Sequence, residues 1–261
     1  MKRSSGLVRR DSQPTQTAVG NELAATSPQD GRSPRWPAGS RKRILHALIL
    51  GFLQPVVPMV LISGLAPLLF SHDRTVLAPR PLSFVAVVLV GALLLALLLG
   101  VGVLKIGRVS LADLGFRRDR FAMELLLGVA GLAVYLACFS AIVRVLLPNP
   151  SRVFHHIVSQ SANERALFLL VGLTIALFEE SVFRGYLQPA LVHRLGLGRG
   201  IVLTAVIFAA WHPTPHHLIS LAGFLIRLSL GLVTGLARGR DRPLTAAIIT
   251  HALIWPVLGL T

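Results

Sequence analysis

Glu179 and Glu180 stand side by side at the end of an uncharged apolar run, Ala166 to Leu177, and Arg184 follows four residues later. Ionised groups inside a membrane-spanning helix cost roughly 2.5–3.5 kcal/mol each on insertion scales, so they are rare there and tend to serve function. Two histidines have similar settings. His212 ends the apolar segment Ile201 to Trp211, and His251 lies within Leu244 to Leu260. A carboxylate and two imidazoles can activate water in two ways. They can ligate zinc, with Glu179, His212 and His251 as ligands and a fourth position open to water. Alternatively, Glu179 acts as general base with His212 while His251 steadies the oxyanion of an attacked amide. Spacing alone leaves both open, and zinc is the only cofactor that these residues suggest. A His-Glu-x-x-His zinc protease motif is absent.

Helical geometry separates the two acids. Glu180 and Arg184 are four apart and share a face, so they can pair. Glu179 points about 100° away. One carboxylate is then held by a cation while its neighbour faces another helix. If the fourth apolar segment ends near Pro189, Glu179 lies roughly 15 Å from that edge; His212 lies roughly 18 Å and His251 roughly 12 Å into their own segments, measured from the same side. Residues on three helices can therefore meet at one depth. Single intramembrane histidines are often packed polar bridges, but three polar positions at matching depth favour chemistry.

The elements that must bring them together are apolar helices. The chain has 261 residues, of which 53% are hydrophobic and 14% charged. Its mean hydropathy is +0.69, and a soluble domain carries about 25% charged residues. Several apolar stretches reach the roughly 20 residues needed to span a bilayer. The fold class expected is all-α, a polytopic transmembrane helix bundle of about seven spans (six to eight), with the catalytic residues on three core helices. The net charge of +15 falls in short segments between apolar runs, which is the positive-inside pattern and not a nucleic-acid surface. The single cysteine, Cys138, sits in an apolar run, so it forms no disulfide within the chain and reads as a small buried hydrophobe.

In chain order, residues 1–43 form a basic, disordered tail rich in Ser, Pro, Gln and Arg, not a cleaved signal peptide. Arg41-Lys42-Arg43 should hold this end in the cytoplasm. Residues 44–164 carry the first three spans: Ile44 to Phe70, broken by Pro55, Pro58 and Pro67, then Leu82 to Leu104, then Phe121 to Leu147. Between the second and third, Ser110 should cap a short interfacial helix. Ser151 to Arg165 is expected to be a far-side loop with a solvated pair, His155 and His156; His46 is expected to be interfacial. Residues 165–261 hold four further spans and the chemistry, with Gly223, Gly231 and Gly235 allowing close helix approach.

At these residues the sequence resembles the CPBP family of intramembrane endopeptidases, which includes type II CAAX prenyl proteases and bacterial immunity proteins. Glu179-Glu180-Ser181-Val182-Phe183-Arg184, with Gly185 after it, matches the family's Glu-Glu-x-x-x-Arg motif. Phe208-Ala209-Ala210-Trp211-His212 matches Phe-x-x-x-His, and His251 matches the histidine that begins the third motif. The resemblance covers about residues 165–261. It implies a peptidase cutting in or beside the membrane, with Glu179 activating water, His212 assisting, His251 steadying the transition state, and Glu180 and Arg184 supporting the geometry. The family commonly has Asn or another Asx four residues after the third-motif histidine, where it is thought to bind the oxyanion; here that residue is Trp255. Indole donates one hydrogen bond but cannot ligate metal.

The resulting expectation is a hydrolase of the bacterial plasma membrane with its N-terminus cytoplasmic. Its partners would be membrane lipid and a membrane-associated peptide or protein substrate. A catalytically weak scaffold or immunity factor of the same fold, which Trp255 favours, and a proton-coupled transporter are the alternatives; the absence of visible inverted repeats weakens the last. The residues set neither the substrate nor the oligomeric state.

Overall fold

The computed structural model describes residues 37, 39–53, 81–117, 120–159, 161–212, 221–240 and 242–258. The basic tail up to residue 36, Pro55, Pro58 and Pro67 lie outside the described residues. The described residues are helical, with no strand among them. Helix α1 covers 41–53. Helix α2, Pro81–Leu98, continues as a π-helix over Leu99–Ile106, and α3 is the single turn Leu111–Leu114. Next come α4 (Phe121–Leu146), α5 (Pro150–Ser159) and α6 (Ala162–Glu180). A second π-helix, Ser181–Leu187, runs directly from α6 into α7 (Gln188–Leu195). The chain then forms α8 (Leu197–Ala210), α9 (Leu221–Arg238) and α10 (Thr245–Leu258).

Among the described residues, three helices are long and apolar enough to cross a membrane: Phe121–Leu146, Arg165–Leu195 and Leu221–Arg238. Val90–Ile106, Leu197–Ala210 and Thr245–Leu258 are shorter apolar helices. The all-α expectation agrees with this bundle. One local expectation fails: the far-side segment after α4 is not a loop but contains α5, in which His155 is exposed. Pro150 opens it, at the helix position where a missing N–H does no harm.

Local signals account for the other ends. The Ser110 hydroxyl accepts the Asp113 N–H at 3.1 Å while the Asp113 carboxylate accepts the Ser110 N–H at 3.0 Å, a reciprocal capping box that starts α3 as expected. Gly115, at φ 101°, ends it. The exposed side chains of α4 include Phe121, Met123, Leu126 and Val129, at 50–67% exposure, a hydrocarbon face that suits lipid and not water.

Helix α10 packs against α6 and α4, α8 against α7 and α9, and α9 against α4. Small residues and polar bridges set these contacts. Thr250 Oγ1 donates to the Gly128 carbonyl at 2.9 Å, joining α10 to α4. A methyl group at Gly231 would stand 3.0 Å from Ala205 Cα, so glycine lets α9 lie close on α8. The buried Glu124 carboxylate, 3.3 Å from the Ala246 N–H, caps the start of α10.

Candidate active site

The two acids end α6 at the point where it changes to the π-helix. An extra residue per turn re-aims side chains relative to an ideal α-helix, and such segments recur at functional sites. All seven residues of this π-helix are buried. Gly185 within it lies against α3: a methyl there would meet the Leu114 carbonyl oxygen at 3.0 Å. Close backbone approach is thus the physical reason for a glycine directly after Arg184.

Glu180 and Arg184 form the pair expected from their spacing. Arg184 Nε lies 3.2 Å from Glu180 Oε2, with both side chains fully buried. A second guanidinium nitrogen donates to the Gly231 carbonyl of α9 at 3.2 Å. The guanidinium carbon stands 4.2 Å from the centre of the Phe208 ring, a cation–π contact between two buried side chains. Phe208 also meets His212, with ring centres 4.6 Å apart, and His251 edge-on at 6.0 Å. Its position four residues before His212 makes it the apolar wall against which all three groups are set.

Both histidines turn the same nitrogen toward Glu179. His212 Nδ1 is 2.7 Å from the Phe208 carbonyl oxygen. A carbonyl only accepts, so Nδ1 carries the proton and Nε2 is left facing Glu179 Oε1 at 3.4 Å. His251 Nδ1 is 2.7 Å from Glu180 Oε1, and its Nε2 faces the other oxygen of Glu179 at 3.8 Å. Glu179, His212 and His251 therefore meet in one site, and Glu180, Arg184 and Phe208 hold them. Glu179 is 1% exposed and His251 3%. His212 is partly open, at 25% for its side chain.

Trp255 is placed differently. Its Cδ1 lies 2.8 Å from where a methyl on Gly172 would be, two helical turns and about 10 Å before Glu179 on α6. The indole Nε1 is buried with no hydrogen-bond partner among the described residues.

Sequence reasoning missed Arg227. Arg184 bonds to Gly231 and Gln188 to Gly235, and both pairs are 47 positions apart. Helix α9 thus runs parallel to the π-helix, and the same offset sets Arg227 level with Glu180. Arg227 is half-buried, and its charge acts on Glu179, His212 and Tyr135. The signal was present: a lone cation within the apolar run Leu218 to Ala237 is a functional candidate by the same reasoning that singled out the glutamates. Helix α1 was missed as a support. Trp211 Nε1 donates to the Gly51 carbonyl at 2.6 Å, and Tyr186 is held between the Arg43 guanidinium, 4.6 Å from its ring centre, and His46, 3.1 Å from its hydroxyl.

The donor types around Glu179 suit zinc. Among the described residues, however, no three His, Cys, Asp or Glu side chains are grouped as a metal site.

Residues 161–255 match the family model described as Type II CAAX prenyl endopeptidase Rce1-like. Over this segment the chain is similar to the Rce1-like family. The segment includes every motif on which the CPBP resemblance rests, together with α6 to α9 and most of α10. Comparison with curated proteins and with solved structures gave no match. The Rce1-like similarity and the spanning-length apolar helices together support an integral membrane protein.

Proposed function

We propose that the chain hydrolyses a peptide bond in or beside the membrane with water activated by Glu179 and His212. The observation that carries this reading is the pair of imidazole Nε2 atoms facing separate oxygens of Glu179, 3.4 and 3.8 Å away. With His212 neutral, its Nε2 and the carboxylate are both acceptors and cannot bond each other. A water molecule satisfies both by donating one proton to each, which leaves an oxygen lone pair for attack.

In the reaction, Glu179 takes the proton as the water oxygen bonds to the peptide carbonyl carbon. The carbonyl oxygen becomes an oxyanion. Collapse of the tetrahedral species breaks the C–N bond, and the proton on Glu179 passes to the leaving amine. Glu180, ion-paired with Arg184, fixes the ring of His251, so that these two act as positioning residues. Arg227, level with Glu180, supplies positive charge to the oxyanion in place of the Asx that Trp255 replaces. Water binding and proton transfer need only these side chains, and no step runs through a metal. The basic segments before α1, before α4 and after α9 favour a cytoplasmic N-terminus.

The test is cleavage by purified protein in proteoliposomes, begun with a prenylated CAAX peptide and extended by proteomics of membrane peptides. Glu179→Gln should lose at least about 10³-fold in kcat while inserting normally. Cleavage at the wild-type rate by this variant would sink the proposal.

A further inference from the structure

A cavity of about 510 Å³, lined by neither Glu179 nor Glu180, lies where the start of α4 meets the turn between α9 and α10. Four arginines line it: Arg117 and Arg120 from the connection before α4, and Arg240 and Arg242 from the α9–α10 turn. None of the four has an ion-pair partner among the described residues. Over both connections the sequence holds five arginines against two aspartates. The one acid that lines the cavity, Glu124, is engaged with the Ala246 N–H.

The two segments that carry these arginines are tied together through the backbone. The Leu244 N–H donates to the Gly115 carbonyl at 2.8 Å, tying one arginine-bearing connection to the other. Buried Arg238 donates to the carbonyls of Arg240 and Arg242 and folds the turn. Gln188 donates to the Gly239 carbonyl at 3.1 Å. Four arginines around one cavity match a tetrahedral phosphate oxyanion, because each guanidinium presents a fork of donors. The remaining wall is apolar, with Met123 and Leu127 from α4 and Pro243. Met123 is also 51% exposed and continues the hydrocarbon face of Phe121 and Leu126. One wall of the cavity thus runs onto the surface that suits acyl chains.

We propose that this cavity binds the phosphate of an anionic phospholipid, with the acyl chains lying along α4. Free phosphate shares the headgroup chemistry but makes no use of the apolar wall. The site needs nothing from Glu179, so its occupancy is separable from peptidase activity.

The experiment measures binding of fluorescent phosphatidylglycerol to the purified full-length protein in neutral detergent micelles, with phosphatidylcholine as the zwitterionic control. The expected result is saturable binding of phosphatidylglycerol only, weakened at least about tenfold in the exposed pair Arg120→Gln/Arg242→Gln. Arg117→Gln/Arg240→Gln should weaken it similarly, whereas Lys105→Gln/Arg108→Gln on the other basic segment should not. Inorganic phosphate at millimolar concentration should displace the lipid poorly. Equal binding of phosphatidylcholine, wild-type affinity in both cavity variants, or full displacement by millimolar phosphate would each overturn the proposal, the last by identifying a soluble-anion site.

Discussion

His251 Nδ1 and Glu180 Oε1 are 2.7 Å apart, a bond between residues 71 positions distant that joins α10 to the end of α6. It orients the imidazole so that Nε2 faces Glu179. In Glu180→Gln the amide can donate as well as accept, which favours the tautomer with the proton on Nε2. The expected loss in kcat is about 10²–10⁴-fold, by analogy with removing the carboxylate that orients a catalytic histidine, with KM little changed. Steady-state kinetics across pH provides the check, since a purely structural role would leave the profile in place. Unchanged kcat and pH profile would show that the His251 orientation is irrelevant.

Arg227→Gln should lower kcat by about 10²–10³-fold, the usual effect of removing one oxyanion donor, without a comparable rise in KM. Arg227→Lys keeps the charge and should recover part of the rate. If both variants cleave as fast as the parent protein, Arg227 plays no part in the reaction.

Arg184→Met leaves Glu180 buried without its cation. Removing one partner of a buried pair typically costs about 3–5 kcal/mol, and both side chains here are fully buried. Thermal unfolding in detergent should show a large drop in Tm. The double variant Glu180→Gln/Arg184→Met should be more stable than Arg184→Met alone, because no unpaired charge is left. A double variant less stable than either single one would contradict this account.

Metal removal distinguishes the two routes to activated water. Activity should persist in protein shown to be metal-free after dialysis against a chelator. Loss of activity that zinc alone restores would replace the side-chain mechanism with a metal-assisted one.

Much of the site was legible because its signals are local. Glu180 and Arg184 share a face through the 3.6-residue period, and that pair forms as the spacing requires. Ser110 and Asp113 cap α3 by contacts within four residues. The depth estimates brought Glu179, His212 and His251 to one level because rise per residue is nearly constant. The α5 error had the opposite cause: a short segment with Pro, Ser and two histidines reads as loop, and its amphipathic pattern spans too few turns to decide.

What the sequence by itself determined, then, is the helical class, the polar residues at depth and the membrane setting, all of which follow from composition and period. Only the tertiary structure decided which nitrogen of each histidine faces Glu179, because that depends on the Phe208 carbonyl and on Glu180 across the bundle. It likewise decided that Trp255 lies over Gly172 and that Arg227 stands level with Glu180. Helix rotation and the register between parallel helices are set by close packing of small residues, and a one-dimensional pattern leaves both open.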